Sequence, residues 1–265
     1  MSLDLEPYLA RIGASHCPRE PTLATLARVH EAHLAAIPFE NLDILLGRPI
    51  QLELGALLAK LIAAGRGGYC FEQNTLFQAV LVRLGFHVTA HAGRVRQGAP
   101  EGVMRPRTHM LLCVQLPEGP YLADVGFGGD GPVLPLPLAA GWTTWVEGTA
   151  WRLRREDDIW VLEANLDGSW CDLYAFSLEP QLAPDFELAN YYTSTFPRSP
   201  FVTNLTAQRS RRDRRTILRN RELTVREGPK SRREAVRDPE HMLEVLEREF
   251  GLVFPKGTRF SKPDF

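Results

Sequence analysis

The chemistry in this chain begins at Cys70, set in the stretch Arg66-Gly67-Gly68-Tyr69-Cys70-Phe71-Glu72-Gln73-Asn74. Beyond it Phe77, Val80, Leu81 and Leu84 recur at the i, i+3, i+4, i+7 spacing of an amphipathic helix, and Gly85 supplies a stop, so the spacing predicts a helix that begins at or next to Cys70. The unpaired N–H groups and positive dipole end of a first helical turn favour an anion. A thiolate placed there is stabilised and its pKa falls below the free value of ~8.5. The expected role of Gly65, Gly67 and Gly68 is to let the backbone approach whatever docks on the sulfur and to offer N–H groups to a developing oxyanion. A cysteine without partners is usually a small buried hydrophobe, so the reading depends on what stands beside it.

A thiol needs a base, and an imidazole base needs a carboxylate to hold its tautomer and steady the imidazolium. His109 lies on the apolar strand Thr108 to Leu116, and Asp124 lies on the next strand beyond the Pro117-Glu118-Gly119-Pro120 turn. With a tight turn at Glu118-Gly119, Asp124 faces Cys113, which shares a sheet face with His109. That register leaves His109 four residues away, roughly 13 Å along the strand, a gap that a bulge, bend or looser turn must close. His87 and His91, near the preceding strand, are alternative bases on chemistry alone.

Other constellations are weaker. Glu40 and Arg66 are candidates for a buried pair, a guanidinium gripping a carboxylate with two parallel bonds, that would fix the glycine turn. His30 sits on the apolar face of a helix and reads as structural; with His33 it makes a metal pair that lacks a third ligand, so no metal site is expected. Gly126-Phe127-Gly128-Gly129-Asp130-Gly131 matches G-x-G-x-x-G, but the following Pro132-Val133-Leu134-Pro135-Leu136-Pro137 cannot open the helix a pyrophosphate needs. Arg209, Arg211, Arg212, Arg214, Arg215, Arg219 and Arg221 form a basic stretch that reads first as a solvated face and second as an attractor of phosphorylated small molecules. Aromatic residues are not interleaved with these arginines, which argues against nucleic acid.

The elements that must position these residues fall in order along 265 residues, enough for a full core. Residues 1–85 read as a helical domain carrying the nucleophile, with stripes at Leu5, Tyr8, Leu9 and Ile12, at Leu23, Ala27, His30, Leu34 and Ile37, and at Leu54, Leu57, Leu58, Leu61 and Ile62. Pro38 ends the second helix and 39–43 reads as a loop. From 86 to 185 the period changes to two, which predicts a β unit carrying the histidine and aspartate. Residues 186–265 read as a connection and a last unit: 180–206 irregular and proline-punctuated, a hairpin around Asn220, and a helix that starts at Asp238-Pro239 and stops at Gly251. A formal charge of −1 gives no argument for nucleic acid or membrane. The acidic start, the lack of a long apolar run and four scattered cysteines without a C-x-x-C pair together suggest a cytoplasmic protein with one working thiol.

Four stretches together resemble the arylamine N-acetyltransferase family: Ile37-Pro38-Phe39-Glu40-Asn41-Leu42; Arg66 to Glu72; Thr108-His109 with Asp124-Val125-Gly126-Phe127-Gly128; and Asn190-Tyr191 through Ser199-Pro200-Phe201. The resemblance covers about three quarters of the chain and implies an α+β fold with an N-terminal helical domain, a central β-barrel and a C-terminal α/β lid around a cysteine-protease-like core. It implies a catalytic triad of Cys70, His109 and Asp124, an acceptor pocket lined by Phe39, Val95 and Phe127, and a CoA entrance near Gly126, Gly128 and Gly129. The implied reaction is ping-pong acetyl transfer from acetyl-CoA to an arylamine, arylhydrazine or related amine, with an acetyl-cysteine intermediate, no metal, and a homodimer left open. The Cys, His, Asp order is shared with transglutaminase-like and papain-like enzymes. An amide-forming acyltransferase on a biosynthetic intermediate and a non-enzymatic reactive-thiol protein are the further alternatives.

Overall fold

A computed structural model describes residues 3–100, 102–228 and 230–264. The first part is helical: α1 (Leu5–Arg11), α2 (Leu23–Ala36), the short strand β1 (Phe39–Glu40), α3 (Leu42–Leu45), α4 (Leu54–Leu57) running into a π-helical turn (Leu58–Ala63), and α5 (Cys70–Arg83). Eight antiparallel strands follow: β2 (His87–Val95), β3 (Arg107–Leu116), β4 (Gly119–Ala123), β5 (Leu136–Pro137), β6 (Thr143–Val146), β7 (Thr149–Glu156), β8 (Ile159–Leu166) and β9 (Ser169–Phe176). They form one barrel-like sheet in the order β5-β4-β3-β2-β9-β8-β7-β6. The chain then makes α6 (Ala183–Thr195), α7 (Pro200–Thr203), β10 (Thr206–Ser210), β11 (Arg214–Arg219), β12 (Glu222–Glu227), β13 (Lys230–Ala235) and α8 (Pro239–Phe250).

The glycine turn before α5 is built differently from the sequence expectation. A Cβ on Gly67 would stand 2.1 Å from the Pro38 carbonyl oxygen, so glycine is required there by the close passage of the Pro38 backbone. The Gly68 N–H donates to Pro38 O at 3.3 Å and is therefore not free to serve an oxyanion. Under the turn lies a buried charge cluster. Arg66 Nε and Nη2 both donate to Glu40 Oε1 (3.1 and 2.7 Å), and Nη1 donates to Asp43 Oδ1 at 3.2 Å. The predicted pair is present, although the guanidinium forks onto one carboxylate oxygen while the other takes the Leu42 N–H at 2.6 Å. Lys60 bridges Asp43 and Glu72 at 2.7 Å each, and Glu72 accepts the Tyr69 N–H at 3.1 Å. That last bond closes the first turn of α5 and fixes where the helix begins. Burial pushes the Glu72 carboxyl up to about 7 against the opposing pull of Lys60.

Two expectations fail in the second half of the chain. Residues 39–43 are not simply a loop: β1 pairs with β10, Phe39 opposite Gln208 and Glu40 opposite Ala207, so the edge of the last sheet comes from the helical part. Residues 180–206 are not irregular. Pro184 sits in the first turn of α6, where its missing N–H costs nothing, and Asp185 caps the Leu182 N–H at 2.9 Å. Exposed Leu188, Tyr191 and Tyr192 interrupt the apolar periodicity of α6, which is why the helix left no clear stripe. The hairpin around Asn220 forms as predicted, with Leu218 opposite Leu223. The five-stranded sheet β1-β10-β11-β12-β13 and α8 enclose a second core of Leu218, Leu223, Val245, Leu246 and Phe250, to which α3 contributes Leu42 and Leu45.

Because Arg66 neutralises two buried carboxylates, Arg66→Gln should cost about 3–5 kcal/mol of unfolding free energy. Urea titration followed by far-UV circular dichroism measures it; a loss below about 1 kcal/mol, the range of a surface pair, would contradict the assignment.

Candidate active site

The nucleophile candidate is placed by the α5 start. Cys70 is buried, and its Sγ lies 3.6 Å from Thr108 O on β3. Thr108 is where β3 departs from regular pairing: His109 opposes Gly93 while Arg107 opposes Arg94, an extra residue that bulges the strand toward the helix. The neighbouring hairpin also corrects the predicted register. The tight turn is Pro117-Glu118, with Leu116 opposite Gly119 and Leu112 opposite Ala123. Continued by one residue, this register brings Asp124 level with Leu111, two residues from His109 and on the same face. The four-residue gap expected from a Glu118-Gly119 turn is halved, and β4 ends at Ala123 so that Asp124 is free to turn toward the histidine.

His109 Nε2 and Asp124 Oδ2 are 2.7 Å apart and both side chains are buried. Nδ1 is the ring nitrogen that Asp124 leaves open, and the Cys70 side chain hydrogen-bonds the imidazole. Burial alone would lower the His109 pKa; the Asp124 carboxylate, joined by the neighbouring Cys70 side chain, more than reverses this and lifts it to about 10. Burial would likewise raise Asp124, yet His109, Asn74 and the Gly126 N–H hold its carboxyl below the usual range. The alternative bases are elsewhere: His87 is exposed, and buried His91 bonds the Glu179 carbonyl at 3.1 Å.

Residues that the sequence reading did not single out complete the arrangement. Asp124 Oδ1 accepts from Asn74 Nδ2 (2.9 Å) and the Gly126 N–H (2.8 Å), and Oδ2 also accepts from Tyr174 OH (2.8 Å). Asn74 spans the interface: it donates to Met110 O on β3 (2.7 Å) and accepts the Val125 N–H (3.1 Å). Its position four residues after Cys70, on the same helix face, was the available signal. Tyr174 had none, because it reaches Asp124 from β9, 50 residues away in the chain. His30 is structural, as expected from its apolar face, but with a specific task. Its Nδ1–H donates to Val133 O at 3.2 Å and Nε2 accepts the Asp124 N–H at 3.2 Å. Burial pushes its pKa down to about 4, so the ring is neutral and can accept. His33 is engaged at both nitrogens, by Tyr8 OH and Gln73 Oε1, which leaves neither histidine of the supposed metal pair free to ligate.

A cleft of about 480 Å³ opens over Cys70 and His109. Phe39, Val95, Gly126 and Phe127 all line it, together with Tyr192, Phe201 and Gln208. Phe127 packs edge-on to the His109 ring, centroids 5.3 Å apart. Gly126 is required by packing, since a Cβ there would come within 2.8 Å of Cys70 Cα. Gly128 and Gly129 lie against the Gln208 side chain, which accepts the Gly129 N–H. That donor of the loop is thus taken by the protein. The arginine stretch is dispersed by strand alternation: Arg212 pairs with Glu31, Arg215 donates to Gly129 O, and Arg214 pairs with Glu227 and Glu249. Among the described residues no helix is long and apolar enough to cross a membrane.

A cysteine at a helix start, bonded through histidine to a buried aspartate on a neighbouring barrel, is the geometry of the cysteine-nucleophile enzymes as a class. Comparison narrows this. Residues 22–258 match the family model described as N-acetyltransferase. The chain is 41% identical to the arylamine N-acetyltransferase of Mycolicibacterium smegmatis over 95% of this chain and 93% of that one. It is 37% identical to the arylamine N-acetyltransferase / N-hydroxyarylamine O-acetyltransferase of Salmonella typhimurium, covering 95% and 90%. The Mycobacterium marinum arylamine N-acetyltransferase, solved in complex with CoA, superposes with a TM-score of 0.89 at 38% identity over 94% of this chain and 92% of that one. This chain belongs to the arylamine N-acetyltransferase family.

The raised His109 pKa fixes a stability test. A pKa of about 10 in the fold against ~6.5 in the unfolded chain means that the stabilisation from protonated His109 is complete below pH ~6.5 and is lost as pH rises toward about 10. The unfolding free-energy advantage of the wild type over His109→Gln should therefore shrink steadily across that window; an advantage independent of pH there would be inconsistent with a buried imidazolium.

Proposed function

We propose that this protein carries the acetyl group of acetyl-CoA to the nitrogen of arylamines, arylhydrazines and related amines, with Cys70 as nucleophile, His109 as acid and base, and Asp124 as the group that orients and charges the imidazole. The observation that carries the reading is the continuous buried line from Cys70 through His109 to Asp124 at the floor of an aromatic cleft. Family membership supports the reaction, and the CoA complex of the M. marinum relative supports the donor.

The chemistry follows from the electrostatics. The Cys70 thiolate, paired with protonated His109, attacks the thioester carbonyl of acetyl-CoA; the C–S bond to CoA breaks, and the departing thiolate takes the imidazolium proton. Cys70 is then an uncharged thioester, so one of the two anions that kept His109 protonated is gone and its pKa falls. The now neutral imidazole can accept the proton of an attacking amine. Collapse of that adduct releases the N-acetyl product and restores the thiolate–imidazolium pair. Asp124 keeps its charge throughout, because four donors outweigh the cost of its burial: His109, Tyr174, Asn74 and the Gly126 N–H.

Phe39, Val95 and Phe127 offer an apolar surface for the acceptor ring, with Phe201 packed beside Phe39. Gly126 and the adjoining Gly128-Gly129 turn border the side from which we expect the pantetheine arm to enter. The four free cysteines fit a reducing compartment, and we read the location as cytoplasmic on that ground.

Brief exposure to acetyl-CoA without amine should add one acetyl group to the intact protein, mapped by peptide mass spectrometry to Cys70 and removed when an arylamine is added. No adduct on Cys70, or an adduct that persists with amine present, would refute the mechanism. Cys70→Ser should abolish turnover while preserving the circular dichroism spectrum, since an alcohol lacks the thiol's accessible ionisation; turnover near wild type would remove Cys70 from the role of nucleophile.

A further inference from the structure

The lid sheet carries a second polar cavity that acetyl transfer does not use. It is small, about 120 Å³, and is lined by Arg209, Arg211, Arg214, Thr216, Arg248 and Glu249. Alternation along β10 separates it from the catalytic cleft: Gln208 lines the cleft, and its neighbour Arg209 points to the other face of the sheet, toward the end of α8.

The charges around this cavity do not balance. Arg214, Arg232 and Arg248 are bridged by Glu227, Glu234 and Glu249. Arg209 and Arg211 make no ion pair among the described residues. Of the four arginines that line the cavity, Arg214 and Arg248 are paired with glutamates and Arg209 and Arg211 are not, leaving two uncompensated positive charges at one small cavity. Arg209 spends one nitrogen on the Phe250 carbonyl at the C-terminus of α8, while its Nε is buried with no hydrogen-bond partner. An orphaned guanidinium N–H is costly to keep out of water. Burial, followed by repulsion from Arg211, Arg11 and Arg214, draws the Arg209 pKa down to about 10, the response expected of a cation crowded by cations.

We propose that this cavity is an anion site for a phosphate-class oxyanion. A tetrahedral dianion would match the two uncompensated charges, accept from the Arg211 and Arg209 guanidinium groups that line the cavity, and reach the Thr216 hydroxyl at the cavity wall. Its phosphoryl group could be free phosphate or part of the acyl donor; the position on the face away from Gln208 favours free phosphate. Occupation would tie β10 and β11 to the last turn of α8 and so stabilise the lid sheet.

The experiment is thermal unfolding of the whole chain while inorganic phosphate replaces chloride at constant ionic strength, with calorimetric titration of phosphate and steady-state kinetics alongside. The wild type should show a saturable rise in Tm and a measurable Kd, as any ligand selective for the folded state requires. Exposed Arg211→Gln should weaken phosphate binding roughly tenfold, the loss expected for one charge-assisted contact. Exposed Arg219→Gln, the same charge change outside the cavity, should leave it unchanged. No saturable response in the wild type, or equal weakening by both substitutions, would overturn the site. An unchanged KM for acetyl-CoA in Arg211→Gln assigns the site to free phosphate; a KM raised in step with the phosphate Kd keeps the site and assigns its phosphoryl group to the donor.

Discussion

One buried carboxylate holds the catalytic half of this molecule together. Asp124 accepts from His109, Tyr174, Asn74 and the Gly126 N–H, and its own N–H is received by His30. These partners come from α2, α5, β3, β9 and the loop after β4. An ionised carboxylate inside a core is tolerable only if its lone pairs are met, so α5, β3, β9 and the loop after β4 are held where their donors reach the same two oxygens, while α2 receives the backbone N–H. The helix bearing the thiol and the sheet bearing the imidazole are thereby registered against each other by a single charge.

The opposite side of the helix start is set by a second charge system with another purpose. Glu40, Asp43, Lys60, Arg66 and Glu72 carry no reacting atom; they fix the glycine turn and the first turn of α5. Cys70 is therefore positioned from both flanks, by the cluster that begins its helix and by the aspartate that anchors the facing sheet. Close backbone packing does the rest. Gly67 against Pro38 and Gly126 against Cys70 remove side chains where two chain segments must nearly touch.

The lid sheet shares this construction, because its edge strand β1 is contributed by the helical part and carries Glu40 of the charge cluster. Phe39 on that strand faces the cleft and Glu40 next to it is buried in the cluster. Alternation on two residues thus couples the acceptor surface to the turn that carries the nucleophile. On β10 the same alternation sends Gln208 to the cleft and Arg209 to the arginine cavity, so one strand serves two polar sites on opposite faces.

What the sequence determined by itself is local. The α5 start at Cys70, the stop at Gly85, the Asn220 hairpin and the Asp238-Pro239 helix start are signalled by residues a few positions apart, through periodicity and preferred backbone angles. The motif combination further identified the family and its three-part fold. The tertiary structure decided what depends on residues far apart in the chain. Spacing left three histidines open and put Asp124 four residues out of register; the Pro117-Glu118 turn and the bulge at Thr108 close that gap, and both are properties of strand pairing. Tyr174 and His30 stand 50 and 94 residues from Asp124, and no periodic signal joins them to it. The arginine stretch is the clearest division: composition exposes its charge, but only the alternating faces of β10 and β11 and the carboxylates packed beside them decide which arginines are neutralised and which are left with a charge to share.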